Sequence, residues 1–188
     1  ITKVATDLHG SIEITIEIAD AGYIVMDIHG YMIDFELFGD LKFYSDLDFN
    51  EDAIGKIKQA GYANFSYYPN TNSYEAGKIK QIGDLVFKYY TNSTKHQAGK
   101  LKQVGDVSLS YYPNRNDYEA GKIKQIGNTV FSYYPNTNYH EAGKIKQIGN
   151  KSYSYYTDEE YKGTKRTGQM KAGWNQFDEE GITYMVIL

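Results

Sequence analysis

Asp46-Leu47-Asp48-Phe49-Asn50 puts three oxygen-bearing side chains at alternate positions. This is how a calcium loop opens, because a hard cation needs several oxygens delivered along one tight turn. Such a loop also needs Gly at its sixth position and a bidentate Glu at its twelfth; Glu51 and Ile57 stand there. Asp46, Asp48 and Asn50 are therefore a calcium candidate set against an ordinary acidic, solvated turn, and no metal is expected. The four histidines, His9, His29, His96 and His140, are scattered without ligand spacing. The chain has no Cys, which removes disulfides, thiolate metal sites and thiol nucleophiles. No phosphate-cradling Gly loop or nucleophile elbow occurs, and Asp158-Glu159-Glu160 and Asp178-Glu179-Glu180 read as solvated charge runs. A catalytic residue is needed once, whereas the distinctive residues here recur. Neither an enzyme nor a cofactor is expected.

Two recurring sets could bind something. Lys78 and Lys80, Lys100 and Lys102, and Lys122 and Lys124 continue a stripe that begins at Lys56 and Lys58 and ends at Lys144 and Lys146, always close to Tyr. Lysines interleaved with aromatic rings can hold a polyanion by charge and stacking. Lysines on exposed strands also keep sheets from pairing edge to edge, which is the duller reading of the same stripe. Tyr74, Tyr118 and Tyr139 lie in loops and could stack on the rings of a glycan. Asn64, Asn92 and Asn150 each open an N-x-Ser/Thr sequon.

The elements that position these residues follow a period of 22. Gly-Lys-Ile-Lys-Gln-Ile-Gly, or a close variant, starts at Gly55, Gly77, Gly99, Gly121 and Gly143, and a Tyr pair follows in register from Tyr67-Tyr68 to Tyr155-Tyr156. A fixed period in this range marks a repeat architecture whose units bury their faces on neighbours. Within a unit, runs such as 78–82 and 85–90 are rich in Ile, Val, Phe and Tyr and are split by Gly83-Asp84. Gly followed by Asp or Asn between two such runs predicts a two-residue hairpin, because Gly takes the positive φ of the first central position. All three prolines, Pro69, Pro113 and Pro135, open the longer connection, where a missing N–H costs no ladder bond. Simple alternation from the turn places Ile82, Lys80 and Lys78 on one face with Leu85, Phe87 and Tyr89, and Ile79 on the other with Lys88. Neither face is then purely apolar. The expected fold is all-β, an antiparallel β-meander of 22-residue hairpin repeats, with a parallel β-solenoid as the alternative.

Three sequence regions result: an acidic β cap over residues 1–32, the repeats over 33–156 (33–54 worn, 55–156 clear), and a C-terminal cap with a terminal strand over 157–188. The segment 11–18 alternates cleanly, with Ile12, Ile14, Ile16 and Ile18 on one face. The net charge of −4 hides balances of −10 over residues 1–54, +8 over 55–156 and −2 over 157–188. No run is apolar and long enough for a transmembrane helix. The cadence of Ser-Tyr-Tyr, a short turn and Gly-Lys-Ile-Lys-Gln-Ile-Gly resembles the tyrosine–glycine β-repeats of the YD/RHS group and related short repeats of secreted bacterial proteins. The resemblance spans about Phe35 to Tyr156 and implies a secreted or surface-displayed bacterial scaffold with no catalytic site in its repeats. Opening on Ile1, the chain is expected to be a processed or a trimmed one.

The function expected from all this is structural and extracellular. The chain would associate with itself into a filament or surface layer by donating terminal β segments, through Ile12, Ile14, Ile16 and Ile18 or through Ile182, Tyr184 and Val186. The alternatives are an adhesin that binds a cell-surface glycan through its Tyr loops, or a polyanion-binding module using the Lys stripe.

Overall fold

A computed structural model of the chain describes residues 1–48, 51–71, 73–91, 96–113, 118–137, 139–157 and 167–188. Its strands, in chain order, are β1 (Lys3–Asp7), β2 (Ile12–Ile18), β3 (Gly22–Asp27), β4 (Met32–Leu37), β5 (Leu41–Phe43), β6 (Ile57–Ala60), β7 (Ala63–Tyr67), β8 (Ile79–Ile82), β9 (Leu85–Tyr89) and β10 (Leu101–Val104). They continue with β11 (Val107–Tyr111), β12 (Ile123–Ile126), β13 (Thr129–Tyr133), β14 (Ile145–Ile148), β15 (Lys151–Ser152), β16 (Ser154–Tyr155), β17 (Met170–Ala172), β18 (Gln176–Glu179) and β19 (Ile182–Ile187). Consecutive strands of the repeats pair antiparallel, hairpin after hairpin, so the fold is the meander and not the solenoid. No helix among the described residues is long and apolar enough to cross a membrane.

Each tight turn is built as its sequence predicts. Ile82 pairs with Leu85 across Gly83-Asp84, and Gly83 has φ +53°. Positive φ at the first central residue alone matches a type II′ turn, whose twist suits a hairpin. The Gln of every repeat has a job that its sequence position does not announce. Gln81 Nε2 donates to the Gly83 carbonyl at 2.6 Å, and Gln59, Gln103, Gln125 and Gln147 do the same at their own turns.

The face assignment by simple alternation is corrected. Along β7 and β8, Phe65 pairs with Ile82 and Ser66 with Gln81, but Tyr67 pairs with Ile79, so Lys80 is skipped. An extra unpaired residue of this kind is a β-bulge, and it swings the strand's remaining side chains to the opposite face. Ile79 and Ile82 thus point the same way, and both are buried with Phe87 and Tyr89, while Lys80 is exposed. The same skip occurs at Lys58, Lys102, Lys124 and Lys146. One bulge per repeat turns a mixed surface into one apolar face and one polar face.

The chain forms two compact units, Ile1–Thr2 with Glu13–Ser108, and Lys3–Ile12 with Leu109–Leu188. Each contains both cap strands and repeats, so the three sequence regions describe residue types and not bodies. In the first unit, β2 and β3 pair antiparallel from Glu13–Asp27 to Ile18–Gly22, β4 follows on β3, and their core side chains are Ile14, Ile16, Ile24 and Met26. In the second, β18 pairs antiparallel with β19, and β19 pairs parallel with β1 from Lys3–Thr183 to Asp7–Ile187.

This arrangement corrects the expected role of the terminal segments. Ile12, Ile14, Ile16, Ile18, Ile182 and Val186 are buried, and Tyr184 is wholly enclosed, stacked on Phe177 with ring centroids 5.4 Å apart and edge-on to Phe131. β19 has a partner strand on both sides. Apolar strands at the two ends of one chain reach each other at a far higher effective concentration than a second copy provides. They are consumed inside the molecule.

Candidate functional site

The two lysines of each repeat part company at the bulge. Lys78 is only 7% exposed; its Nζ donates to the Gly99 carbonyl one repeat on and lies 5.0 Å from the centroid of the Tyr89 ring. Lys56 bonds the Gly77 carbonyl at 2.8 Å, Lys122 bonds that of Gly143 and Lys144 that of Gly168, each over the first Tyr of its own repeat. Lys100 is buried as well, and burial pushes the ammonium groups of Lys78, Lys100 and Lys122 below the usual lysine range. These first lysines are cross-braces between repeats. Lys80, Lys102 and Lys124, the skipped residues, stay exposed and rest 5.7–6.0 Å over Tyr68, Tyr90 and Tyr112. Of the two sets, the second keeps its charge in solvent.

A clean separation of the two roles follows. Lys78→Met leaves the Gly99 carbonyl without its donor and should cost about 1–3 kcal/mol, the penalty for an unmet buried acceptor. Lys80→Met should stay within about 0.5 kcal/mol, as surface changes do. Urea midpoints of the two variants decide; equal shifts would refute the brace.

The Tyr pairs are braces too. Tyr67, Tyr89, Tyr133 and Tyr155 each donate from the phenol to the backbone carbonyl of the residue ten positions back, at 2.8–3.0 Å. Tyr68, Tyr112 and Tyr134 reach forward to the carbonyls of Phe87, Phe131 and Tyr153. Of the loop tyrosines, Tyr139 is 88% exposed and lies against His140, Tyr74 is 43% exposed, and Tyr118 is half-buried.

The calcium candidate is spoken for where it is described. Asp48 pairs with the Lys58 ammonium, which pulls its pKa down to about 2, and its other oxygen accepts the Ser45 N–H at 2.8 Å. Asp46 is exposed and Asn50 lies outside the described residues. Among the described residues no group of three or more His, Asp or Glu side chains converges as a metal site.

A motif that passed unread in the sequence sits at the cap strands. Asp7-Leu8-His9-Gly10 and Asp27-Ile28-His29-Gly30 form two copies of one turn. In each, one Asp oxygen accepts two backbone N–H groups, from His9 and Ser11 or from His29 and Tyr31, at 2.8–2.9 Å. Each turn then seats on a repeat. The Ile28 carbonyl accepts the Leu101 N–H at 2.8 Å, and the Leu8 carbonyl accepts the Ile145 N–H at 2.9 Å. Gly30 lies on the Tyr89 ring and Gly10 on the Tyr133 ring, so closely that a Cβ would fall 2.3 and 2.6 Å from a ring carbon. Repetition of the Asp–aliphatic–His–Gly quartet was the signal that could have revealed it.

At the open edge of the first unit, large apolar side chains stand in solvent. Among the described residues β4 pairs only with β3, and β5 only with β6. Phe35 shares a face with its partner Ile24, which is fully buried, yet Phe35 is 45% exposed; Phe43 is 55% exposed. Between them lies a cavity of about 330 Å³, whose walls include Met32, Ile57 and Tyr67. Ile33, Phe38 and Leu41 are exposed as well. No protein-family model, curated protein or solved structure matches the chain.

Proposed function

We propose that the chain is a non-enzymatic structural β-repeat protein of the cell exterior that joins other chains through the open edge formed by β4 and β5. The observation that carries this reading is the exposure of Phe35 and Phe43, which occupy core-facing positions yet are 45% and 55% exposed among the described residues. An edge strand with unpaired backbone groups and apolar neighbours is a template for another chain's strand. Placement outside the cell rests on the likeness of the repeats to secreted Tyr–Gly β-repeats. A second reading, binding of a polyanion, rests on Lys80, Lys102 and Lys124, which remain exposed over Tyr rings.

Sedimentation and negative-stain microscopy at ~0.15 M and ~1 M salt separate the two, since the Debye length shrinks from ~8 to ~3 Å over that range. Assembly at both salts that is lost in Phe35→Asp supports the apolar edge. Single particles at every concentration would sink it, and steeply salt-dependent binding of heparin would favour the lysines.

A further inference from the structure

The Asp–aliphatic–His–Gly turns define a receptor on alternate repeats, and among the described residues the receptor at Phe43 stands open. Its parts are a ring, the residue paired with that ring across the bulge, and the backbone N–H of that residue. Tyr89 with Leu101 receives the turn at Gly30, and Tyr133 with Ile145 receives the turn at Gly10. Leu101 precedes Ile145 by 44 residues, which is two repeats; 44 residues before Leu101 stands Ile57. Ile57 is paired with Phe43 across the same kind of bulge. At the two filled receptors the rings are 3% and 4% exposed, whereas Phe43 is 55% exposed. The cavity of about 330 Å³ lies on Phe43 and Ile57, and its other wall is Gly30, Met32 and Phe35 from the seated turn and the free edge strand.

We propose that this cavity, with the β4 edge beside it, receives a β-hairpin from a partner polypeptide. The hairpin turn carries Asp, an aliphatic residue and Gly in the order of the chain's own two turns. The aliphatic residue's carbonyl meets the Ile57 N–H, its Gly lies on the Phe43 ring, and its first strand adds to β4. Both of this chain's turns are already seated, so the occupant is a third turn brought by another polypeptide. Asp34 and Glu36 point to the outer face of β4, away from Phe35, so the added strands carry basic residues outward. The proposal rests on the edge-assembly reading and names its acceptor and the class of its partner.

The probe is a synthetic peptide of residues 3–18 carrying Glu13→Lys and Glu17→Lys, titrated into the isotope-labelled full chain. Saturable binding with a Kd below ~100 μM is expected, with the Ile57 amide among the shifted resonances. Gly10→Val in the peptide, which puts a side chain where the ring must lie, should weaken binding at least ~10-fold, as should Phe43→Asp in the protein. No binding at ~1 mM, or equal binding of the Gly10→Val peptide, overturns the receptor. Assembly in the microscope without peptide binding would reject the receptor and leave the edge reading standing. Peptide binding by a chain that never assembles would do the reverse.

Discussion

Gly30→Val destabilises the first unit by about 3–5 kcal/mol, while Gly83→Ala in the same unit costs only about 1–2. Both glycines have positive φ, +79° and +53°, and any L side chain there carries a left-handed penalty of about 1–2 kcal/mol. They differ in what surrounds them. A Cβ at Gly30 falls 2.3 Å from Cε1 of Tyr89, a ring that is itself buried and hydrogen-bonded to the Ile79 carbonyl, whereas a Cβ at Gly83 meets nothing within 4 Å. The extra cost is overpacking, about 1–3 kcal/mol, together with loss of the bond from the Leu101 N–H to the Ile28 carbonyl when the turn lifts. Against a total stability of about 5–15 kcal/mol, the first change is close to unfolding and the second is mild. Urea denaturation followed by circular dichroism measures both. Equal losses would mean that the turn is held by its own Asp bonds and not by its seat on the ring.

Raising the pH above about 10 should unfold the protein cooperatively. Burial pushes the phenols of Tyr67, Tyr89, Tyr133 and Tyr155 well above the ordinary tyrosine range, and that of Tyr153 up to about 12. All five also donate to backbone carbonyls, which a phenolate cannot do. A group whose folded pKa is raised contributes stability that is intact below its unfolded pKa, here about 10, and lost as the pH climbs toward the folded value. Tyr89 and Tyr133, the two phenols that burial pushes up furthest, each remove about 1.4 kcal/mol per pH unit in that window. The buried phenolate absorbance should therefore appear together with loss of the β-sheet dichroism, within about two pH units above 10. Ionisation of these rings with the sheet intact would contradict the bracing role. Tyr133→Phe gives up its bond to the Ile123 carbonyl, at about 1 kcal/mol, but should move the alkaline midpoint upward relative to its own neutral-pH stability.

Much of the fold was legible in the chain because it depends on local rules. The 22-residue period, the Gly-led tight turns and the β-forming runs all act within a few residues of each other. They are enough to specify an antiparallel meander and to place its turns.

What the sequence left undecided is what depends on residues far apart. Alternation counted from the turn put Ile79 and Lys80 on the wrong faces, because the bulge at each second Lys is made by pairing with the preceding repeat and not by the hairpin itself. For the same reason, Lys78 and Lys80 look alike in a sequence stripe and differ in space: one braces the next repeat's Gly carbonyl, the other faces solvent. The terminal apolar strands read as donors to a second copy, yet β19 lies between β1 and β18, because burial does not depend on which chain supplies the neighbour. The open edge was equally hidden. Phe43 pairs across its bulge as Tyr89 and Tyr133 do across theirs; it is exposed because a turn lies on each of those two rings and, among the described residues, none lies on its own.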